Sequence, residues 1–200
     1  MKRTLPIFLL ASLALNVPLF GQEPVTPRPA PELAYNVPGQ GQQLLSQYRG
    51  KVVALEFILT TCPHCQAESK VFTKLQQEYG PRGFQALDVA INGLDEGRTP
   101  AQADALVALF KSNFQVGFPV GWVPRDQFLA FTGYSIMQYL VVPQLLLIDK
   151  KGVIRYQTPA RGDEISRKET TIRSRLEELL SEPAHTSAHN SKSHASKKGA

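Results

Sequence analysis

The run Lys-Val-Val-Ala-Leu-Glu-Phe-Ile-Leu, residues 51–59, limits what this chain can fold into more than any other segment. It is of strand length, rich in valine and isoleucine, and apolar at nearly every position rather than at alternate ones. Such a strand is buried on both faces and needs a covering layer on each side. Pro63 follows closely and is favoured at the first position of a helix, where its missing N–H would have had no partner. Cys62 then occupies the N-cap, and Cys65 lies one turn further in. Ala67, Val71, Leu75 and Tyr79, with Phe72 beside them, continue as one helix face until "YGPRG" stops it.

The same alternation runs on. "GFQALDVAI" reads as a strand, "AQADALVALFKSNF" as a helix after Pro100, and "GFPVGW" as a short strand. "PRDQFLAFTGY" is a short helix ending near Gly133, and "PQLLLIDKKGVIRYQ" is two strands around the turn "DKKG". Within "EISRKETTIRSRLEELL", Ile165, Ile172, Leu176 and Leu179 form one apolar stripe. The order is a βαβ unit, then a hairpin and a closing helix. It predicts an α/β fold with a mixed central sheet and helices on both faces.

Residues 33–182 are expected to form that domain. Residues 22–32 are proline-rich and read as an extended linker. Residues 183–200 are small, polar and basic, and cannot bury enough apolar surface to fold. Lys2 and Arg3 followed by "TLPIFLLASLALNVPLF" read as an export signal over residues 1–21. The broken apolar run is short for a spanning helix, so a membrane enters only if the segment is kept as an anchor. The body would then lie in the periplasm or otherwise outside the cytoplasm, where disulfide chemistry is normal. The net charge of +5 comes from the ends: without Lys2, Arg3, Lys192, Lys197 and Lys198, 17 basic residues face 17 acidic ones. A neutral body gives no basic face for nucleic acid.

Cys62 and Cys65 are the chain's two cysteines. At 42% hydrophobic, 200 residues can build a core without a disulfide staple. A structural zinc site needs four ligands, and the body adds only His64, since His185, His189 and His194 lie in the tail. A haem attachment would need histidine after Cys65, where Gln66 stands. A reacting dithiol is the reading that is left. The positive end of the helix stabilises a thiolate at Cys62. A charged His64 nearby would add to this and make the disulfide more oxidising, whereas a histidine turned to solvent would do neither. Glu56, between Leu55 and Phe57, is expected to be buried with its carboxyl held protonated, and could pass a proton to or from Cys65.

The strand "VVALEF" with its acid, "CPHC" at the start of a helix and the later "VPQLLLIDKKGVI" together resemble the thioredoxin superfamily. "GKVVALEFILTTCPHC" and "VPQLLLIDKKGVIR" are most similar to exported TlpA/ResA-type thiol-disulfide oxidoreductases with a redoxin (AhpC/TSA-type) domain, over roughly residues 33–181. The resemblance implies a thioredoxin fold with Cys62 as exposed nucleophile and Cys65 as resolving cysteine. It also implies a cis Val142–Pro143 bond opposite the dithiol, with the Val142 backbone binding a substrate strand. Pro63 and Thr61 would border the same surface. Thr61 departs from the family, which carries tryptophan there, and "PH" is the dipeptide of DsbA-type oxidases.

The expected function is exchange of disulfides with protein substrates and a redox partner protein, by a monomer without cofactor or metal. Two other readings stand beside it. One is a copper(I) metallochaperone, since two thiolates suit that ion. The other is a peroxiredoxin-like peroxidase, although Leu59 and Leu55 stand where that class needs a hydroxyl residue and a proline.

Overall fold

A computed structural model describes residues 23–183. The expected signal segment and the histidine-bearing tail, with His185, His189 and His194, lie outside the described residues. Eight strands form one sheet in the order β1-β8-β7-β4-β5-β6-β2-β3. In chain order these are β1 (Arg28–Pro29), β2 (Ala34–Val37), β3 (Gly41–Leu44), β4 (Val52–Ile58), β5 (Phe84–Ala90), β6 (Val120–Trp122), β7 (Gln144–Ile148) and β8 (Val153–Gln157). The helices are α1 (Pro63–Tyr79), α2 (Pro100–Asn113), α3 (Arg125–Thr132) and α4 (Glu169–Ser181). β4, β5 and β6 run parallel, joined by crossovers through α1 and α2, and the remaining pairs are antiparallel. The mixed sheet expected from the sequence is present.

β4 sits between β5 and β7, and all seven of its residues are buried. The strand's two-residue period sends Val52, Ala54 and Ile58 to the face covered by α1, α2 and α4. Val53, Leu55 and Phe57 go to the opposite face, covered by α3 and the N-terminal segment. Phe57 there meets the rings of Phe128 and Phe131 at 4.9 and 5.7 Å between centroids. Gly133 ends α3 in the left-handed conformation (φ 79°), donating its N–H to the Leu129 carbonyl.

Three readings of the sequence need correction. The proline-rich stretch expected as a linker is in part an edge strand: Arg28 and Pro29 pair with β8, and Ala30 donates to the Gly152 carbonyl. Arg28 fixes it further, donating to the carbonyls of Phe131 and Thr132 and to Gln157. The face of α1 is also rotated from the expected one. Ala67 is exposed and Val71 half-buried, while Cys65, Ser69, Phe72, Leu75 and Tyr79 face the core. Ser69 reads as polar in an apolar count, but two internal partners let it sit there. Lastly, α4 begins at Glu169, so Ile165 precedes the helix and is exposed, while Ile172, Leu176 and Leu179 do form the buried stripe.

Phe57 joins β4 to α3 with no water access. Phe57→Ala should therefore lower unfolding free energy by about 3–5 kcal/mol, read from urea denaturation midpoints at constant slope.

Candidate active site

The loop from β4 to α1 carries the dithiol. Asn92, after β5, accepts from the Thr60 backbone N–H (3.2 Å) and donates to its hydroxyl (3.0 Å). Gln66 donates to the Thr60 carbonyl (3.0 Å), and the Cys62 N–H donates to the Leu59 carbonyl (3.0 Å). These bonds hold Cys62 at the N-cap in an extended conformation, with Pro63 opening the helix. Cys62 is half-buried and Cys65 fully buried, both as thiols.

The Cys62 sulfur does not cap the helix N–H groups. It turns instead toward the carbonyl of Val142, at 4.0 Å. The Val142–Pro143 bond is cis, as the family resemblance implied. Val142 is half-buried and Pro143 buried, while Thr61 and Pro63, which flank Cys62 in the chain, are exposed. His64 is exposed too, on a shallow cleft lined also by Glu68, Glu164, Arg167 and Lys168, and no hydrogen bond joins it to either sulfur.

Beneath Cys65 lies a buried cluster that the sequence reading found only in part. Glu56 on β4 stands beside Asp88 on β5, so both carboxyls leave the same face, toward α1. Glu56 is fully buried and Asp88 nearly so. Ser69 donates to Asp88 at 2.6 Å, and Arg167, before α4, lies 3.5 Å from Glu68. Both Glu56 oxygens lack a donor among the described residues. As a carboxylate the group would be unpaired in a dry site; as an acid it can donate to Glu68 or Asp88. Burial first, then the charges of Glu68 and Asp88, push the Glu56 carboxyl well above the ordinary carboxylate range. Burial raises Glu68 to about 7 against the pull of Arg167, and raises Asp88 to about 7 against the Ser69 bond.

Cys65 lies in the same enclosed region. Burial, a hydrogen bond to Cys62 and the nearby Glu56 all push its thiol up, against a backbone bond from Leu59. Cys65 therefore keeps its proton until a base takes it, and Glu56 is the carboxyl among its causes. Asp88 carries the same signal as Glu56, an acid inside an apolar strand, and could have been found that way. Arg167 left no such signal, because only the chain's return before α4 brings it to α1. Among the described residues no group of three or more His, Cys, Asp or Glu is arranged to hold a metal ion.

A profile of the AhpC/TSA family matches residues 27–157. The chain belongs to the AhpC/TSA family. Thioredoxin-like protein YneN of Bacillus subtilis (strain 168) is 28% identical over 126 residues, 63% of this chain and 66% of that protein. "Probable glutathione peroxidase 8-B" of Xenopus laevis is 34% identical over 76 residues, 38% of this chain; the chain spans only 36% of that relative's length. A thiol:disulfide interchange protein of the thioredoxin family from Chlorobium tepidum TLS superposes with a TM-score of 0.61 at 20% identity, over 78% of this chain and 99% of that one. The thioredoxin domain of a thiol-disulfide oxidoreductase from Bacteroides vulgatus gives 0.56 at 16% identity, over 76% and 98%. This AhpC/TSA chain has the thioredoxin fold.

The cluster makes stability depend on pH with a definite sign. Carboxyls raised on folding bind protons that the unfolded chain, titrating near 4, has already released. Their contribution is full below about pH 4 and is lost as pH rises through the folded values near 7. The reduced protein should thus have a higher denaturation midpoint at pH 5.5 than at pH 8. Glu56→Gln, uncharged and of the same shape, should flatten that decline and raise the midpoint at pH 8; an equally steep decline would place the titration elsewhere.

Proposed function

We propose that this protein is a thiol-disulfide oxidoreductase acting on protein substrates through Cys62 and Cys65. The observation that carries the reading is the pairing of a half-buried sulfur facing the Val142 carbonyl with an enclosed thiol above a fully buried carboxyl, Glu56. One sulfur can be reached from outside and the other can be reached only by the first.

In the reducing direction, the Cys62 thiolate attacks one sulfur of a substrate disulfide. A Cys62–substrate disulfide forms, and the other substrate sulfur leaves as a thiolate. Cys65 then gives its proton to the carboxyl cluster and attacks the Cys62 sulfur. The second substrate thiolate leaves, and Cys62 and Cys65 end as a disulfide, having given up two electrons. Glu56 can accept the Cys65 proton only as it passes its own to Glu68 or Asp88. Glu68 borders the cleft beside His64, where water can carry the proton off. Oxidation of a substrate dithiol is the same sequence reversed. Thr61, Pro63 and the Val142 backbone border the reacting sulfur and would touch the substrate, and His64 at the second helical position would bias the potential through its charge. We assign the working compartment to the periplasm or its equivalent on the N-terminal sequence alone.

Cys65→Ser should accumulate a covalent adduct with a disulfide-containing protein substrate through Cys62, visible by mass spectrometry and released by dithiothreitol. No adduct under exchange conditions would rule out the mechanism. With both cysteines present, Glu56→Gln should slow the second step by about 10²–10⁴-fold, the usual worth of a positioned proton acceptor, and leave the first step close to unchanged. The likeness to a glutathione peroxidase favours peroxide reduction as the second reading. Leu59 offers no hydroxyl to a peroxide, so the reduced protein should consume hydrogen peroxide no faster than an unactivated thiol. Rapid consumption lost with Cys62→Ser would favour the peroxidase.

A further inference from the structure

β4 and β5 run in parallel register as far as Ile58 and Ala90. One further bond, from the Ile91 N–H to the Ile58 carbonyl (3.0 Å), ends the ladder, and the two chains then part. The β4 chain turns into the dithiol loop, and the β5 chain into the loop before α2. Backbone groups buried where two strands separate must find partners outside the ladder.

The Asn92 side chain is such a partner. Asn92 and Thr60 are both buried. The Asn92 oxygen accepts from the Thr60 N–H (3.2 Å), and its nitrogen donates to the Thr60 hydroxyl (3.0 Å). An amide presents an acceptor and a donor side by side, which fits a neighbouring N–H and hydroxyl at once. Gln66 takes the Thr60 carbonyl (3.0 Å), so all three polar groups of Thr60 are gripped by side chains.

Asn92 is itself held. Its carbonyl accepts from the Asp95 N–H (3.3 Å) and from Arg98 (3.4 Å). Gly93 follows with no room for a side chain: a Cβ there would stand 3.1 Å from that of Ala103 on α2 and 3.2 Å from that of Trp122 on β6. The grip on Thr60 is therefore anchored to β5, α2 and β6, not to the loop that it holds.

The held segment is the turn that joins the two sulfurs. The Leu59 carbonyl accepts from the Cys62 N–H (3.0 Å), and the Leu59 backbone also bonds the Cys65 sulfur. Thr60 is the next residue of that turn. The Cys62 and Cys65 side chains are hydrogen-bonded to each other as thiols.

We infer that Asn92 is a positioning residue of the dithiol, holding the Leu59–Cys62 turn so that the two sulfurs stay within reach of one another before a disulfide joins them. The role presupposes the dithiol-exchange reading and deepens it, because it names a residue that sets how readily the pair oxidises. Sulfurs already placed together have a high effective concentration toward each other. Folding has then done the ordering that oxidation would otherwise require, and the disulfide form is favoured.

Equilibration with glutathione tests this. As one glutathione disulfide is reduced to two thiols, Cys62 and Cys65 are oxidised to one disulfide, and the two protein forms are counted by mass spectrometry after alkylation. In Asn92→Ala the equilibrium constant for the Cys62–Cys65 disulfide should fall about five- to thirtyfold, the worth of fixing one residue's backbone. Thr60→Val keeps the shape but loses the hydroxyl bond, and should show a smaller fall of about two- to tenfold. Thr60→Ser, which keeps the hydroxyl, should match wild type. Unfolding midpoints of both redox forms separate positioning from mere support: a structural role lowers the two alike and leaves the constant where it was. A constant unchanged or raised in either variant that folds overturns the role of Asn92, with the exchange reading intact. Wild-type protein that forms no Cys62–Cys65 disulfide at any glutathione ratio overturns the exchange reading, and the role of Asn92 with it.

Discussion

A carboxyl on a strand that water cannot reach must either find a cation or keep its proton. β4 is that strand, closed by β5 and β7 at its sides and by helices on both faces. The cation that pairs with the cluster among the described residues is Arg167, 3.5 Å from Glu68 on α1. Glu56 therefore depends on its neighbours, and they are carboxyls too. Glu56 and Asp88 are cut off from water, with Glu68 between them and the cleft, and burial opposes ionising all three beside one guanidinium. All three carboxyls are therefore pushed above the ordinary carboxylate range, burial being the largest cause at each. In the proposed exchange reaction, that cluster serves as the acid–base device beneath Cys65.

The packing of α1 follows from the same constraint. A helix laid on β4 and β5 would ordinarily present only apolar side chains to them. Here Ser69 takes a core position, and its hydroxyl bridges the Cys65 carbonyl (2.9 Å) and Asp88 (2.6 Å). The helix is thereby tied to the acids at the level of the second cysteine. Phe72, Leu75 and Tyr79 supply apolar contact further along, away from the dithiol. The reactive end of α1 is thus held by polar bonds and its far end by hydrophobic burial.

How much of this could be read in advance depended on whether a residue's environment was local. β4, the start of α1 at Pro63, the turn before β8 and the stop at Gly133 follow from runs and breakers a few residues long, and all appear where expected. Burial of Glu56 was legible because its sequence neighbours are apolar. The N-terminal hairpin was not, since "GQQL" lacks alternation and is a strand only because β2 pairs with it. The exposed side of α1 was misjudged because periodicity treats Ser69 as polar and Ala67 as apolar, while hydrogen bonding decides their places. Arg167 is set by tertiary return alone. The resemblance to TlpA/ResA-type proteins supplied the cis peptide at Pro143, which no local pattern distinguishes from an ordinary X–Pro bond.

The two loops that meet at Cys62 are each fixed by bonds that do not involve the sulfurs. Thr60, Asn92 and Gln66 hold one; Val141, Gln144 and Ala160 hold the other. The distance from Cys62 to the Val142 carbonyl is therefore a property of the scaffold, present before any partner arrives. Under the proposed exchange reaction, a substrate would meet a preformed edge and spend little on ordering it. The carboxyl cluster is buried beneath Cys65, whereas Thr61 and Pro63 beside Cys62 are exposed.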